Sequence, residues 1–557
     1  MLVACTGDVV TTPHEAAGEL PPDEPPLGPG DARSEACDGV DDDADGAVDE
    51  GCACEAGAVR ACAPPVLGGC AGVQRCGNAG EFAAWGSCEG STGAFAPLGE
   101  VELGVQWGRT IDPGPSDLFS SAEVEVDGSG NVYALAWSYY DGSGLEHEIV
   151  LVSHAPDGTE RWRVTARVAD HRGLWWWGGA GSLAVDRDGN SYVAGHGSVT
   201  FGEVTLGDPA IGAVFLASFA PDGSYRWGRT YATNLYAYEW WGNAAHVAVG
   251  DDGEPVLAGH FTESVSFGDV ELVADDFVDA YVARIDREGG VLWARRIGVD
   301  HAGGWWGGGL RLAVGADGDI AVSGHYSGTL RVDEAVFEAT APLDWFVVAL
   351  DGDGAYRWGH TGPIGDYWWG RAEGWWWHSG AGGVAVAADG SVLLHSAFQQ
   401  TFELAGTVLE PITADGIAGA TFVAAFDADG APRWAQARTA RPGPSYPDPA
   451  TWWEGWWGGS GSSLAVDRAG NVYLSEPDAE GGDAAGTVTS FDRDGATRWS
   501  IPYGRDAGDV AYGSSIAVAC DGLYVGGGFT DRLTMGPDTL VSSAWDGYVA
   551  RIAAVAP

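Results

Sequence analysis

The sequence predicts an all-β protein whose main body is a seven-bladed β-propeller with four-stranded blades, preceded by a small disulfide-rich module and a disordered N-terminal linker. Three observations predict this fold class: a repeat of roughly 65 residues, a tryptophan after a glycine turn in each repeat, and 88 glycines among 557 residues. No long amphipathic helical pattern occurs. We expect a linker over 1–35, a cysteine-rich module over 36–98 and the propeller over 101–557.

The first anchor of the repeat is a tryptophan that follows a turn. Six of the seven copies have the turn directly upstream, in segments such as PDGTERW, PDGSYRW and RDGATRW. Asp-Gly between alternating apolar residues is a strong hairpin signal. The seven anchors are Trp107, Trp162, Trp227, Trp293, Trp358, Trp434 and Trp499.

Two further anchors complete each unit. A strand–glycine turn–strand segment such as SLAVDRDGNSYVAG occurs seven times, and an apolar strand such as DAYVARID precedes most of the tryptophan turns. Four antiparallel strands repeated seven times are typical of propeller blades. The last unit has only three strands, so we expect the first tryptophan strand, 104–110, to pair with 547–553 and close the ring.

These units resemble the bacterial propeller repeats known as SBBP repeats, and the match covers nearly all of 101–557. The shared pieces are "AVD-x-x-GN-x-YVAG", an "FG" strand (Phe201-Gly202, Phe267-Gly268) that blades one and six lack, and "D-x-FVA-x-x-D-x-x-G-x-x-x-W". The Asp-Gly-to-Trp turn is similar to the tryptophan-docking turn of quinoprotein propellers, although no quinone site is visible. A sialidase Asp-box differs, because it separates Asp from Gly by one residue.

Charge excludes several classes of partner. The formal net charge is −51, from 79 acidic and 28 basic residues, and every basic residue is arginine. Nucleic-acid backbones and anionic membrane surfaces would be repelled, whereas neutral polymers, cations and basic partners remain open. The alternative reading is that the acidity only keeps a secreted protein soluble. No run of 18 apolar residues predicts a membrane-spanning helix.

The N-terminal segment resembles the lipobox of bacterial lipoproteins, in which a small residue precedes a lipidated cysteine, here Cys5. Only Met1 precedes the box, which leaves three interpretations open: a start assigned too late, a trimmed segment, or a chance match. Residues 6–35 are rich in Pro, Gly and acid, as a solvated tether would be. We expect an extracytoplasmic protein, at the outer membrane or cell surface, that touches the membrane only through Cys5; Thr6 favours the outer membrane if the resemblance holds.

Seven of the nine cysteines crowd residues 37–88, which suits an oxidising compartment. In residues 37–52, Asp41, Asp43, Asp45 and Asp49 surround a glycine turn, and alternating carboxylates can converge on one Ca²⁺ ion. The segment resembles an acidic metal-binding motif of bacterial surface proteins, but it has Ala44 where the motif has Cys. The alternative is a disulfide-bonded knot without a specific metal; the connectivity, including that of Cys520, stays open.

Sixteen of the 27 tryptophans lie in segments between one tryptophan strand and the next unit, and the last of each run precedes the next strand's valine by eight or nine residues. If the first strand of each unit is innermost, all these loops lie on one face around the channel. They can plug gaps between blades, or stack on sugar faces and cations. The candidate ligand-binding residues are Trp176, Trp177, Trp240, Trp241, Trp305, Trp306, Trp376, Trp377, Trp456 and Trp457.

No nucleophile motif, P-loop or HExxH segment occurs, so we expect a non-enzyme without an organic cofactor. His196, His260 and His325 recur at one repeat position, and we interpret them as fillers. The favoured function is a monomeric surface binding or adhesion module for a neutral polysaccharide or another surface protein. The alternatives are an extracellular glycan-active enzyme, which needs two carboxyls roughly 5–9.5 Å apart on the tryptophan face, and a purely structural envelope protein.

Overall fold

The structure is a computed structural model. It describes residues 59–62, 72–79, 82–85, 103–112, 119–139, 147–169, 181–207, 213–232, 245–275, 278–300, 310–365, 383–414, 417–438, 463–476, 485–505, 511–519 and 522–554.

Seven antiparallel sheets form the blades of a β-propeller, most of them four-stranded, so the predicted fold class is confirmed. The first strands are β5 (Phe119–Val126), β9 (Ser182–Val185), β15 (His246–Val249), β21 (Arg311–Val314), β27 (Gly383–Val386), β34 (Leu464–Val466) and β38 (Ala511–Ala519). The second strands are β6 (Val132–Tyr139), β10 (Ser191–His196), β16 (Pro255–Phe261), β22 (Ile320–Tyr326), β28 (Val392–Phe398), β35 (Val472–Glu476) and β39 (Gly522–Met535).

The outer half of each blade consists of a third and a fourth strand. The third strands are β7 (His147–His154), β13 (Ala213–Phe219), β19 (Asp279–Ile285), β25 (Leu343–Leu350), β32 (Ile417–Phe426), β36 (Gly486–Phe491) and β40 (Asp538–Ala554). The fourth strands are β8 (Glu160–Ala169), β14 (Tyr225–Ala232), β20 (Val291–Asp300), β26 (Tyr356–Gly365), β33 (Pro432–Arg438), β37 (Thr497–Tyr503) and, for blade seven, β4 (Leu103–Ile111).

Blade seven is completed by the strand from the beginning of the propeller sequence. Strand β4 pairs antiparallel with β40, with Gly104 opposite Ala553 and Ile111 opposite Gly547. This is the pairing that the sequence predicted between 104–110 and 547–553. The N-terminal strand thus covers the edge that β40 would otherwise expose.

Short hairpins between the second and third strands connect neighbouring blades. They are β11–β12 (Ser198–Phe201, Val204–Leu206), β17–β18 (Ser264–Phe267, Val270–Val273), β23–β24 (Thr329–Val332, Ala335–Glu338) and β29–β30 (Phe402–Leu404, Thr407–Leu409), while β31 (Ile412–Ala414) pairs with the start of β32. Strand β11 pairs with β8 of blade one, and β23 pairs with β20 of blade three. In blade seven the ends of β39 and β40 form the equivalent hairpin.

The apolar core is divided among the junctions between blades. Seven hydrophobic clusters each combine residues of two consecutive blades, and one of them joins blade seven to blade one through Ala517, Tyr524 and Ala122. Alternating side chains of each strand point to the two neighbouring blades, so both faces of every sheet are buried. A closed ring of such junctions stabilises the propeller without an isolated blade having a core of its own.

Residues before the propeller form a separate small sheet. Strands β1 (Val59–Cys62), β2 (Gly72–Ala79) and β3 (Phe82–Trp85) lie in that order, and Cys76 is paired with Trp85 in the β2–β3 hairpin. The domain boundaries that we expect at 1–35 and 36–98 remain a prediction.

Candidate functional site

One end of the propeller carries all the variable connections. The tight Asp-Gly turns join first to second and third to fourth strands at one end, which we call the turn face. The fourth strands end, and the next first strands begin, at the other end, which we call the loop face. The connections 170–180, 233–244, 301–309, 366–382 and 439–462, which contain the sixteen tryptophans, therefore leave and re-enter the described strands on the loop face.

The predicted site residues themselves lie outside the described residues. This holds for Cys5, for Asp41, Asp43, Asp45 and Asp49, and for the ten candidate tryptophans. Their roles remain predictions. The structure describes the strands to which the tryptophan segments connect, and the channel beside those strands.

The repeat already supplies the tryptophans that the junctions need. The indole Nε1 of Trp107, Trp162 and Trp227 donates to the carbonyl oxygen of Pro156, Pro221 and Arg287, in the third-to-fourth-strand turn of the next blade, at 2.8–2.9 Å. Trp293, Trp358 and Trp434 do the same to Gly352, Ala428 and Arg493 at 3.0–3.1 Å. Junction packing therefore has its own aromatic residue in each of these six cases, distinct from the loop tryptophans.

The first strands line a central channel of about 250 Å³, so the expectation that they are innermost is confirmed. Each contacts the first strands of both neighbouring blades, and β38 contacts β5, so the ring is closed. Three layers follow one another from the loop face to the turn face. The first, which we call the polar layer, contains Glu123, Ser182, His246, Arg311, Gly383, Ser463 and Ser515. The second, the alanine layer, contains Glu125, Ala184, Ala248, Ala313, Ala385, Ala465 and Ala517, and the third contains seven valines.

Side chains of the polar layer bind the backbone of the next blade. Ser515 Oγ accepts from Val124 N at 3.1 Å, and Glu123 Oε2 accepts from Leu183 N at 3.0 Å. Ser182 Oγ accepts from Val247 N at 3.2 Å. Because a buried backbone N–H needs an acceptor, these residues have a structural role at their junctions.

Two basic residues of the polar layer are bound to each other. Arg311 Nη1 lies 3.3 Å from His246 Nε2 and donates to Leu310 O at 2.9 Å. Burial, together with the Arg311 guanidinium and His260, lowers the pKa of His246 well below its ordinary value, so its ring is neutral and can accept from Arg311. The channel mouth thus has a cationic side at blade four.

The three recurring histidines lie next to this layer, His260 and His325 buried and His196 partly buried. Burial lowers the pKa of His196 to about 4, and burial with the nearby Arg311 lowers that of His325 to about 3. Both rings are therefore neutral near pH 7, which fits the filler role. Among the described residues, no group of three or more His, Cys, Asp or Glu side chains has a geometry that could hold a metal ion.

The opposite side of the channel, at blade one, is acidic. Glu123 is 6% exposed, and burial, followed by the neighbouring Glu125, raises the pKa of its carboxyl well above the ordinary value. Burial alone raises the pKa of Glu125 to about 8. Neither residue could be recognised from the sequence, because the segment AEVEVD has the pattern of an ordinary alternating strand.

A buried polar network joins blades five and six. His395 Nδ1 lies 3.0 Å from Ser463 Oγ, and His395 Nε2 lies 3.8 Å from Glu476 Oε1. The residue types are those of a hydrolytic triad, but 3.8 Å exceeds a hydrogen bond. The Glu476 carboxylate accepts instead from Arg438 at 3.0–3.1 Å and from Thr421 at 3.1 Å. These contacts lie at a junction for which the described residues include no connecting hairpin.

Comparisons with known proteins assign no family to the chain. No protein-family model matches the sequence, and no curated protein matches it. A puromycin hydrolase mutant in complex with PGG is similar at 13% identity and TM-score 0.37, over 77% of this chain and 54% of that one, so this chain spans about half of the hydrolase. The NanB sialidase of Streptococcus pneumoniae is similar at 12% identity and TM-score 0.34, over 84% and 73%.

A biofilm matrix protein of V. cholerae, Bap1, is similar at 11% identity and TM-score 0.23, over 82% of this chain and 92% of that one. At these identities the likeness concerns the fold alone. The protein is a seven-bladed β-propeller, and its likeness to SBBP repeats stays a prediction from the quoted motifs. Within the described ranges, no helix has the length and hydropathy to span a bilayer.

Proposed function

We propose that the protein is a cell-surface binding module whose ligand surface is the loop face of the propeller. One observation carries the proposal: every tryptophan-bearing connection begins and ends on this face, around the mouth of one channel. The junctions between blades use a different set of tryptophans. The six junctions with an indole hydrogen bond thus do not use the sixteen loop tryptophans for that bond.

The ligand class follows from indole chemistry and net charge. Gly-flanked indoles stack on the apolar faces of sugar rings, and a chain with a net charge of −51 repels anionic polymers. A neutral polysaccharide fits both properties, and another surface protein is the second partner that we propose.

Trp376→Ala and Trp457→Ala test the proposal. If these residues bind ligand, each change should abolish retention on neutral polysaccharide while leaving the melting temperature unchanged, and retention should be nearly insensitive to salt. Leu292→Ala, at a half-exposed position of strand β20, is the matched control for loss of an apolar side chain. If the indoles are packed inside, the same changes should instead lower the free energy of unfolding by roughly 3–5 kcal/mol. That loss, with no polysaccharide retained by the parent protein, would refute the binding surface.

The predictions for the N-terminal residues extend the same proposal. We propose that Cys5 carries a lipid anchor and that Asp41, Asp43, Asp45 and Asp49 bind Ca²⁺, with an affinity on the order of 10⁻⁴–10⁻³ M, as in extracellular modules. Calorimetry on the disulfide-intact protein tests the second point. An absence of heat at millimolar Ca²⁺ would remove it.

A glycan-active enzyme is the alternative, and one observation favours it. Glu123 and Glu125 are two carboxyls with raised pKa on the same strand bordering the channel. Glu123, however, is buried and bound to Leu183 N, so it is poorly placed to meet a substrate. Release of reducing ends from a bound polysaccharide, lost in Glu125→Gln, would establish hydrolysis in place of binding.

A further inference from the structure

One residue of the alanine layer departs from the repeat. Six blades place alanine at this position, whereas blade one places Glu125. Because a methyl group suffices at six of the seven equivalent positions, the ring does not need a carboxyl there. Glu125 also differs from its neighbour Glu123, whose carboxylate accepts the Leu183 amide of the next blade.

The surroundings of Glu125 lack a positive partner. Within the described chain its carboxyl takes part in no hydrogen bond or ion pair, and burial is the one cause of its raised pKa. The facing strand of blade two, β9, carries only uncharged side chains, Ser182 to Val185. Across the channel, the charge of Arg311 lowers the pKa of the Glu123 carboxyl less than burial and Glu125 raise it. The Arg311 guanidinium is itself bound to Leu310 O and His246. The Glu125 carboxyl therefore has no basic partner in the described chain and, with its pKa raised to about 8, carries a proton at neutral pH.

We propose that the channel is a binding site for a small organic molecule bearing an ammonium group, which donates its hydrogen bonds to Glu125. An ammonium has three donors, and on its binding the Glu125 carboxyl releases its proton to solvent, because hydrogen bonds between charged groups are the strong ones. Its carbon stem would lie against the alanine and valine layers. A volume of about 250 Å³ admits a small ligand only.

The chemistry of the lining favours an organic cation over a metal ion. Hard cations such as Ca²⁺ take six to eight oxygens. The described channel offers two carboxyls, and the hydroxyls of Ser182 and Ser515 already accept backbone N–H groups. The remaining lining is mostly aliphatic, which suits an alkyl stem and not a hydrated ion. This inference concerns the channel and holds whether or not the loop tryptophans bind a polysaccharide.

The test uses the full-length chain and n-butylammonium chloride as probe, with n-butanol as its uncharged counterpart. Calorimetry should show saturable binding of the ammonium and none of the alcohol. Glu125→Gln and Glu125→Ala should weaken binding about tenfold or more. Glu203→Gln, which removes an exposed carboxyl in the β11–β12 turn and changes net charge equally, should leave it unchanged.

Melting curves establish that the variants are folded. Glu125→Ala introduces the residue that the other blades use, and Glu125→Gln keeps the shape of the side chain. Butylammonium binding that is equal in the parent and in either folded variant would overturn the proposal, as would the absence of saturable binding by the parent. Nα-acetyl-lysine against Nα,Nε-diacetyl-lysine, and glucosamine against N-acetylglucosamine, then identify whether a lysine side chain or an amino sugar supplies the ammonium; each form without a free amine should fail to bind.

Discussion

At the scale of single residues, the glycine of each third-to-fourth-strand turn is required for two separate reasons. Gly223 has φ +82°, in the region that disfavours side chains, and a Cβ added there would lie 2.7 Å from Cδ2 of Trp162 in the preceding blade. The same closeness to the preceding blade's tryptophan holds at Gly158, Gly289, Gly354, Gly430 and Gly495. The Asp-Gly signal in the sequence is thus also a docking surface for an indole.

Gly223→Ala should lower the free energy of unfolding by roughly 2–4 kcal/mol, from backbone strain and displacement of the Trp162 ring together. Gly202→Ala is the matched control. Gly202 also has positive φ, +59°, but nothing lies within 4 Å of its added Cβ, so only the strain of about 1 kcal/mol should appear. Urea denaturation of both variants measures the difference; equal losses would show that indole docking adds nothing.

Glu125 makes stability depend on pH in a definite direction. Burial raises the pKa of its carboxyl from 4.5 to about 8, so the folded state keeps a proton that the unfolded chain loses near pH 4.5. The free energy of unfolding should therefore fall as pH rises between these values, by up to about 1.4 kcal/mol per pH unit for this group.

Glu125→Ala should make that decline shallower, leaving the part that Glu123 contributes, and should stabilise the protein more at about pH 7.5 than at about pH 5. Urea denaturation of the ligand-free protein at both values measures it, and Glu203→Gln should keep the parental slope. A parental slope in Glu125→Ala would show that this carboxyl ionises normally in the fold.

The roles of Glu125 and Arg311 in the channel could not be predicted from the sequence. Glu125 and Arg311 stand at strand positions where polar residues are common, and only the superposition of seven strands around one channel shows that they interrupt uniform layers. By contrast, the anchors with a fixed local signal, such as Asp222-Gly223 before Trp227, could be placed directly. The loop tryptophans were visible as a pattern, but register alone could not decide between packing and binding.

At the scale of elements, the indole of the fourth strand donates a hydrogen bond to the turn of the next blade at six junctions. The junction of blade six with blade seven is the exception. In blade seven the third strand, β40, and the fourth, β4, come from opposite ends of the propeller, so no turn joins them. Trp499 of blade six faces this junction, and its Nε1 is buried with no acceptor among the described residues. Closure by the N-terminal strand therefore removes one hydrogen bond from the repeat.

A comparison of Trp227→Phe with Trp499→Phe should separate the contribution of the indole hydrogen bond to stability from that of ring packing. Both lose similar ring area, but only Trp227 loses an indole hydrogen bond, the one to Arg287 O, whose other donor is Arg226 Nη2 at 3.4 Å. We expect Trp227→Phe to cost about 1 kcal/mol more than Trp499→Phe. Thermal melts of the pair test this; equal costs would mean that the Trp499 indole has found a partner in the terminal residues.

For the connecting hairpins, local sequence patterns predict the strands but not the pairing of those strands with other blades. The FG strands could be recognised from Phe201-Gly202 and Phe267-Gly268, whereas the predicted lack of this strand in blades one and six concerns segments outside the described residues. The pairing of β11 with β8 of the previous blade could not be predicted, because it uses a strand edge that no sequence pattern specifies. Phe201 and Phe267 are fully or nearly buried at these junctions, which explains why the hairpins carry an aromatic residue.

At the scale of the molecule, two of the seven junctions differ from the rest. Hairpin residues contribute to the clusters between blades one and two, two and three, three and four, four and five, and six and seven. In the clusters between blades five and six and between blades seven and one, the described residues include no hairpin residue. At the first of these, the network of His395, Ser463 and Glu476 adds polar contacts; at the second, closure depends on β4 itself.

Deletion of 101–112 should therefore open the ring. It removes the partner of β40, the docking of Trp107 on the turn at Pro156, and Trp107 and Ile111 from the cluster between blades seven and one. The exposed edge of β40 should pair with other molecules, so we expect aggregation and loss of a cooperative melt. Deletion of 1–95, which keeps β4, is the matched control and should melt as the parent does. Size-exclusion chromatography and calorimetry compare the two, and a soluble, cooperatively folding 101–112 deletion would show that six complete blades and a three-stranded seventh suffice, so that closure is not what holds the ring together.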